Sequence, residues 1–159
     1  MNSHQIRFDA DLIRRYDRAG PRYTSYPTAV QFSDRFGVNE YRGVAVASNQ
    51  DPIPRPLSLY VHIPFCSSPC FYCGCTKVIT RNHEKAEAYL YRLHREIELQ
   101  SQLYDRDREV EQLHFGGGTP TFLTSLEIDR LIGKLGDHFK LSRDPDREYS
   151  IELDPRTIT

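Results

Sequence analysis

The chain has 159 residues, of which 38% are hydrophobic and 27% charged, and its formal net charge is -1. These values are typical of one soluble globular domain and argue against a nucleic-acid or anionic-membrane partner. Charged residues interrupt the first 30 positions and no apolar run is long enough to span a bilayer, so we predict neither a signal peptide nor a membrane segment. We therefore expect a cytoplasmic protein, a monomer, with reduced thiols.

The N-terminal part, residues 1–56, is predicted to contain a helix within 1–19, an extended arm and a second helix within 29–47. The arm is "GPRYTSYPT", residues 20–28, whose two prolines and lack of a helical period favour extended backbone. The proline-rich linker "NQDPIPRP" closes this part at Pro56.

Strands and helices alternate over residues 57–159. "LSLYVHI" and "VEQLHF" alternate apolar with polar residues and predict strands at 57–63 and 110–115, and "EYSIELDP" predicts a third strand. Apolar stripes predict one helix over 83–104 and another after a capping box at Thr124 and Glu127. This order is typical of an α/β fold with a parallel sheet.

Several details of the two helices are predicted as well. We expect Asn82 to cap the first helix and Ile132 to lie on the buried face of the second. The remaining polar groups of this region are expected in solvent: His83, His94, His138 and the charged run 105–109.

One face of each predicted strand is polar, which is unusual for a sheet covered by helices on both sides. The polar pairs are Tyr60 with His62, Gln112 with His114, and Glu152 with Asp154. They suggest the lumen of a whole or partial barrel. Three strands cannot close a barrel, so we expect this chain to be a fragment, or the ordered part, of a larger protein.

The segment "CSSPCFYCGC" contains every cysteine of the chain. Four thiols in one loop of a cytosolic protein favour a metal centre over disulfides. The spacing C-x3-C-x2-C suits three irons of a [4Fe–4S] cluster and leaves the fourth iron open, whereas structural zinc usually takes two separated pairs. A structural zinc module without catalysis remains the alternative.

The run "GGGTP" follows the second predicted strand and matches neither of the common phosphate-binding motifs. A simple turn and a close contact with a ligand are both open readings. Ligands of parallel α/β proteins bind at the carboxyl ends of the strands. The cysteine loop, the glycine run and Glu152 are predicted to meet there.

Longer stretches carry a family resemblance. "CSSPCFYC" resembles the C-x3-C-x-aromatic-C motif of radical S-adenosylmethionine (SAM) enzymes. "GPRYTSYPT", "LSLYVHIPFC", "CGC", "LHFGGGTPTFL" and "SIELDPR" resemble the oxygen-independent coproporphyrinogen III oxidases, or dehydrogenases, of that superfamily. The resemblance implies the N-terminal part of an incomplete (β/α)6 radical SAM barrel, preceded by an extended arm.

The resemblance implies roles for individual residues. Cys66, Cys70 and Cys73 would ligate the cluster, and Cys75 would not. Two SAM molecules are implied, one contacted by Tyr60, Gly117 and Glu152, the other by Tyr72, Gly118 and Thr119.

The implied reaction begins when the reduced cluster cleaves SAM to a 5′-deoxyadenosyl radical. Such a radical takes a hydrogen atom from the β-carbon of a propionate of coproporphyrinogen III, and loss of carbon dioxide and one electron leaves a vinyl group. The same reaction at a second propionate gives protoporphyrinogen IX for haem. An electron donor is needed but not identified. Arg22 in the arm is expected to contact a propionate. His62 and His114, both on the polar face, are expected either to hydrogen-bond their neighbours and orient the loop or to act near SAM or the substrate. The alternative is a haem-trafficking relative that binds haem, although it typically has an aromatic residue where Cys75 stands.

Overall fold

The computed structural model describes residues 8–17, 28–71 and 73–155, which belong to two compact units, Met1–Gly37 and Val38–Thr159. The predicted domain boundary after residue 56 stays a prediction. The helices of the described residues include none that is long and apolar enough to cross a membrane.

In the first unit, helix α1 spans Ala10–Tyr16, as predicted within residues 1–19. The side chain of Asp9 caps it by accepting hydrogen bonds from the amides of Asp11 and Leu12. A 3-10 turn follows at Ala29–Gln31. Residues 18–27, which include nearly all of the predicted arm, lie outside the described residues.

The elements of the second unit are, in chain order, α2 (Val38–Ala47), β1 (Leu57–Ile63), β2 (Phe65–Cys66), β3 (Val78–Ile79), α3 (Glu84–Ser101), β4 (Glu109–Gly117), α4 (Ser125–His138), β5 (Lys140–Leu141) and β6 (Glu148–Ile151). The helix predicted within 29–47 is thus shorter than expected. The hydroxyl of Ser33 accepts a hydrogen bond from the amide of Arg35 and stabilises a turn before α2.

The sheet is parallel, as the strand–helix order predicted. β4 lies beside β1 on one side and beside β6 and the short β5 on the other. A separate parallel pair joins β2 to β3. The two-residue strands β2, β3 and β5 were not predicted, because a segment this short shows no period.

Helices α3 and α4 supply one side of a single core. The buried members are Leu57, Val61, Ile63, Phe65, Ala86, Leu90, Ile97, Val110, Leu113, Phe115, Leu123, Leu131, Leu135 and Phe139. Burying each large aliphatic side chain contributes about 1.5–3 kcal/mol. Ile132 was wrongly placed on the buried face, since it is 41% exposed. The apolar side of β6 is also partly exposed, because β6 lies at the edge of the sheet.

The capping box of Thr124 and Glu127 is confirmed, and Asn82 makes the capping hydrogen bond predicted for α3, one residue before the assigned cap position. His83 occupies the cap position without a side-chain cap bond, and Asn82 Oδ1 accepts from the amide of Glu84. The charged run is not simply solvated. Arg108 donates to the carbonyl of Arg55 and so ties the proline-rich linker to the loop before β4.

The three helix histidines were expected in solvent, and this expectation is wrong. His83 Nε2 lies 2.9 Å from a carboxylate oxygen of Glu127. His138 Nδ1 lies 3.2 Å from the hydroxyl of Ser101. His94 Nε2 is buried with no hydrogen-bond partner among the described residues, and burial lowers the pKa of His94.

Candidate active site

The carboxyl ends of β1, β4 and β6 meet at one rim of the sheet. Ile63 at the end of β1 lies opposite Gly117 at the end of β4, and the amide of Glu152 donates to the carbonyl of Phe115 at 2.9 Å. A cavity of about 640 Å³ opens at this rim. Its lining includes Cys66, Cys70, Cys73, Cys75, Gly117, Gly118, Thr119 and Glu152. The cysteine loop, the glycine run and this carboxylate therefore face one space, as the sequence predicted.

The pairing of β2 with β3 fixes both ends of the cysteine loop, residues 67–77. The amide of Val78 donates to the carbonyl of Pro64 at 2.7 Å, and the amide of Thr80 donates to the carbonyl of Cys66 at 2.9 Å. Cys66 is buried at the start of the loop, whereas Cys70 is exposed. One thiol is thus anchored in the fold while the others lie on a closed loop.

The residues after β4 are bonded to the start of that loop. The amides of Gly118 and Thr119 donate to the carbonyls of Ile63 and Phe65, each at 2.8 Å. The Thr119 hydroxyl lies 3.5 Å from the sulfur of Cys66. A Cβ atom on Gly118 would approach the carbonyl oxygen of Phe65 to 2.7 Å, so a side chain does not fit here.

His62 fills the space beside Gly117. Gly117 has φ +112°, and a Cβ atom there would lie 2.5 Å from the His62 ring. Nε2 of His62 donates to the carbonyl of Thr76 at 2.9 Å, because a carbonyl oxygen can only accept. Nδ1 of the neutral ring then accepts from the Tyr60 hydroxyl at 3.1 Å. His62 therefore connects β1 to the residue that follows Cys75, which favours the prediction that it orients the loop.

Tyr60 extends from the polar face of β1 and is 59% exposed. Partial burial, followed by the nearby Glu152 and Cys75, raises the pKa of its phenol. The phenol is therefore neutral at pH 7, and its proton is directed to His62. The lone pairs of its oxygen are left to accept hydrogen bonds from a ligand.

The two thiols of "CGC" differ electrostatically. A hydrogen bond from the backbone of Cys75, together with Lys77, lowers the pKa of the Cys73 thiol. Partial burial and the neighbouring Cys73 raise the pKa of the Cys75 thiol. The thiolate, which is the form that binds metal, is thereby favoured at Cys73.

Several known proteins are similar to this chain, although no protein-family model matches it. The chain is 52% identical over 151 residues to the oxygen-independent coproporphyrinogen III oxidase of Pseudomonas aeruginosa. It is 49% identical over 158 residues to the protein of the same name from Escherichia coli K12. These matches cover 95% and 99% of this chain but 32% and 33% of the relatives, so the chain spans about a third of their length.

A relative of similar length is the oxygen-independent coproporphyrinogen III oxidase of Mannheimia haemolytica. It is 46% identical over 151 residues, which cover 95% of this chain and 99% of the relative. This chain belongs to the oxygen-independent coproporphyrinogen III oxidase family.

A solved structure agrees with this family. It is that of coproporphyrinogen III oxidase (HemN) from Escherichia coli, described as a radical SAM enzyme. The match has a TM-score of 0.76 and 47% identity, and it covers 98% of this chain and 32% of that chain. The fold is thus the N-terminal part of a radical SAM barrel, as the resemblance implied.

The cysteines of this oxidase-family chain fit an iron–sulfur cluster by donor type. All four are unbridged, and Cys66, Cys70 and Cys73 line the same cavity. As placed, the described His, Cys, Asp and Glu side chains form no group of three close enough to hold a metal ion. The cysteine ligands of a cluster each bind a different iron, so they need not lie as close together as the ligands of one metal ion.

Most of the predicted site residues of this family member lie at the rim. Tyr72 and Arg22 lie outside the described residues, and the ligand roles of all the site residues stay predictions. Ser150 was not predicted as a site residue, whereas His114 was expected either to hydrogen-bond its neighbours or to act near SAM or the substrate. Strand alternation places Ser150 on the face of Glu152 and could have indicated it.

Proposed function

We propose that the protein carrying this chain performs the SAM-dependent oxidative decarboxylation of two propionates of coproporphyrinogen III in haem biosynthesis. Each propionate becomes a vinyl group, so the products are protoporphyrinogen IX and two molecules of carbon dioxide, with methionine and 5′-deoxyadenosine formed from SAM. The observation that carries the proposal is the shared cavity, in which the C-x3-C-x2-C thiols, the glycine run and Glu152 meet. The substrate class comes from the names of the relatives.

We assign Cys66, Cys70 and Cys73 as ligands of a [4Fe–4S] cluster. Three thiolates leave one iron with an open position for SAM. When bound, the cluster and SAM together supply the one-electron chemistry that removes a hydrogen atom from the β-carbon of a propionate. Cys75 is not assigned as a ligand, because it lies outside the C-x3-C-x2-C motif that the family resemblance assigns to the cluster.

The chain's own polar groups would orient SAM. Oε2 of Glu152 accepts from the amide of Gly117 at 3.0 Å, which holds the carboxylate at the cavity wall. A carboxylate there accepts hydrogen bonds from hydroxyl or ammonium groups of SAM. The Tyr60 oxygen acts as a second acceptor, and Gly117 lets the ligand approach the backbone.

Other contacts belong to the same proposal. Gly118, Thr119 and Tyr72 are assigned to a second SAM molecule. Arg22 is assigned to a propionate carboxylate of the substrate, for which a guanidinium is the suited partner. The electron donor is unidentified.

Cysteine variants test the cluster assignment after anaerobic reconstitution with iron and sulfide. Cys73→Ser is expected to lose most of the bound iron, whereas the matched control Cys75→Ser retains it. Iron and acid-labile sulfide are the measured quantities. Equal iron loss in both variants contradicts the assignment, and stoichiometric zinc without iron favours the structural zinc module.

Activity is tested with dithionite and SAM, with and without coproporphyrinogen III. We expect 5′-deoxyadenosine and the divinyl product to form together when the substrate is present. Tight haem binding without vinyl formation would instead support a haem-trafficking protein.

A further inference from the structure

His114 lies at the centre of a row of three side chains that crosses the sheet. In the strand register it is the partner of Tyr60 on β1 and of Ser150 on β6. Its ring stacks on Tyr60 with centroids 5.6 Å apart and 22° between the planes. Nδ1 lies 2.7 Å from the hydroxyl of Ser150, and Nε2 lies 3.4 Å from Oε1 of Glu152. His114 therefore contacts both side chains assigned above to SAM.

The partners of His114 determine its tautomer. An ionised carboxylate only accepts hydrogen bonds, so Nε2 carries a proton and donates to Glu152. In the neutral ring Nδ1 is then an acceptor, and Ser150 donates to it. The shorter bond, from the Ser150 hydroxyl, fixes the plane of the His114 ring. In that plane Nε2 points towards Glu152 and makes the longer bond.

Gly116 leaves the room that this arrangement needs. A Cβ atom on Gly116 would lie 2.8 Å from Nε2 of His114 and 3.0 Å from the Tyr60 ring. The first glycine of the run thus makes space for the two stacked rings, whereas Gly117 makes space for His62.

Glu152 depends on this arrangement because its side chain is 52% exposed. Oε2 is bonded to the amide of Gly117, and Oε1 is bonded to His114. Without His114, the carboxylate would keep one bond and regain rotational freedom. A ligand would then have to restrict that freedom on binding, which lowers its affinity.

We propose that His114 is a positioning residue, which holds Glu152 and Tyr60 in the arrangement that binds SAM. The inference rests on the proposed function, since it concerns how the proposed SAM contacts are oriented.

Two amide variants separate the two nitrogens of the ring. His114→Gln places an amide nitrogen near the position of Nε2, whereas His114→Asn places one near Nδ1. Gln112→Ala is the matched control, because Gln112 precedes His114 by two residues on the same face and bonds Glu148 at 2.7 Å. SAM dissociation constants are measured by equilibrium dialysis on the reconstituted protein, with thermal unfolding as the check on folding.

His114→Asn is expected to weaken SAM binding by about tenfold, the scale of one hydrogen bond to a charged group. His114→Gln should stay within about threefold of wild type, and Gln112→Ala should bind as wild type does. Wild-type affinity in His114→Asn, or equal weakening in Gln112→Ala, overturns the inference but leaves the proposed function intact. A wild-type protein that does not bind SAM overturns the proposed function and the inference with it.

A second readout needs neither cluster nor SAM. In protein labelled with 15N-histidine, the His114 ring is expected to carry its proton on Nε2, and Glu152→Gln should shift that signal while Gln112→Ala does not. A proton on Nδ1 of the neutral ring, or no response to Glu152→Gln, overturns the positioning role.

Discussion

Each glycine of the run 116–118 leaves room for a different neighbour. Gly116 faces the rings of His114 and Tyr60, Gly117 faces His62, and Gly118 faces the backbone of residues 64 and 65. From the sequence, a simple turn and a ligand contact were both open. His114 lies on the same strand, and the other neighbours lie about fifty positions earlier in the chain. The sequence around the run therefore could not show that close packing requires a glycine at each of these positions.

Gly117→Ala is expected to destabilise the protein by about 1–3 kcal/mol, the usual cost of a strained backbone at positive φ. The new methyl group would also displace His62, whose ring is held by two hydrogen bonds. Chemical denaturation measures the change in the free energy of unfolding.

Gly74→Ala is the control for that measurement. Gly74 lies in the cysteine loop, and a Cβ atom there meets none of the described heavy atoms within 4 Å. Its effect should stay within about 0.5 kcal/mol. Equal changes in the free energy of unfolding for the two variants would show that neither the positive φ of Gly117 nor its contact with His62 affects stability.

At the scale of elements, α4 contains a glycine that its packing does not require. Gly133 is exposed in the helix interior, and nothing described lies within 4 Å of a Cβ atom placed there. Gly133→Ala is therefore expected to stabilise the protein by up to about 1 kcal/mol through helix propensity. Thermal and urea unfolding should both show a higher midpoint, and a lower midpoint would contradict the prediction.

A salt bridge also connects helices α3 and α4. Glu98 lies 2.7 Å from Lys134 across the helix pair and 2.8 Å from Arg95 on its own helix. Hydrogen bonds from Lys134 and then Arg95 lower the pKa of Glu98 from 4.5 to about 2. Because the folded pKa lies below the unfolded one, the stabilisation is present above pH 4.5 and is lost as the pH falls towards 2.

Lys134→Met is expected to flatten the pH dependence of the unfolding free energy between pH 4.5 and 2, where Glu98 titrates. Urea unfolding at several pH values measures this slope. Glu96→Gln is the control on the same helix, since Glu96 forms no ion pair with any described residue, and it should keep the wild-type slope. A wild-type slope in Lys134→Met would show that the pair contributes nothing to acid stability.

At the scale of the whole molecule, long periodic segments were predicted well and short or distant contacts were not. Strand β1 has the predicted bounds, because seven alternating residues determine both its length and its faces. The bond between His83 and Glu127 was missed, since it joins residues 44 positions apart. The common rim of the site followed from parallel topology, whereas the contacts of His114 needed the register of three strands.

The β2–β3 pair has a consequence for the proposed cluster. The pair holds the two ends of the cysteine loop together. The loop therefore loses less conformational entropy when it binds a cluster than a chain with free ends would lose. Once one thiolate has bound iron, the others are present at a high effective concentration, which is the chelate effect. The rate at which iron dissociates should therefore depend on backbone bonds such as that from Val78 to Pro64, although neither residue is a ligand.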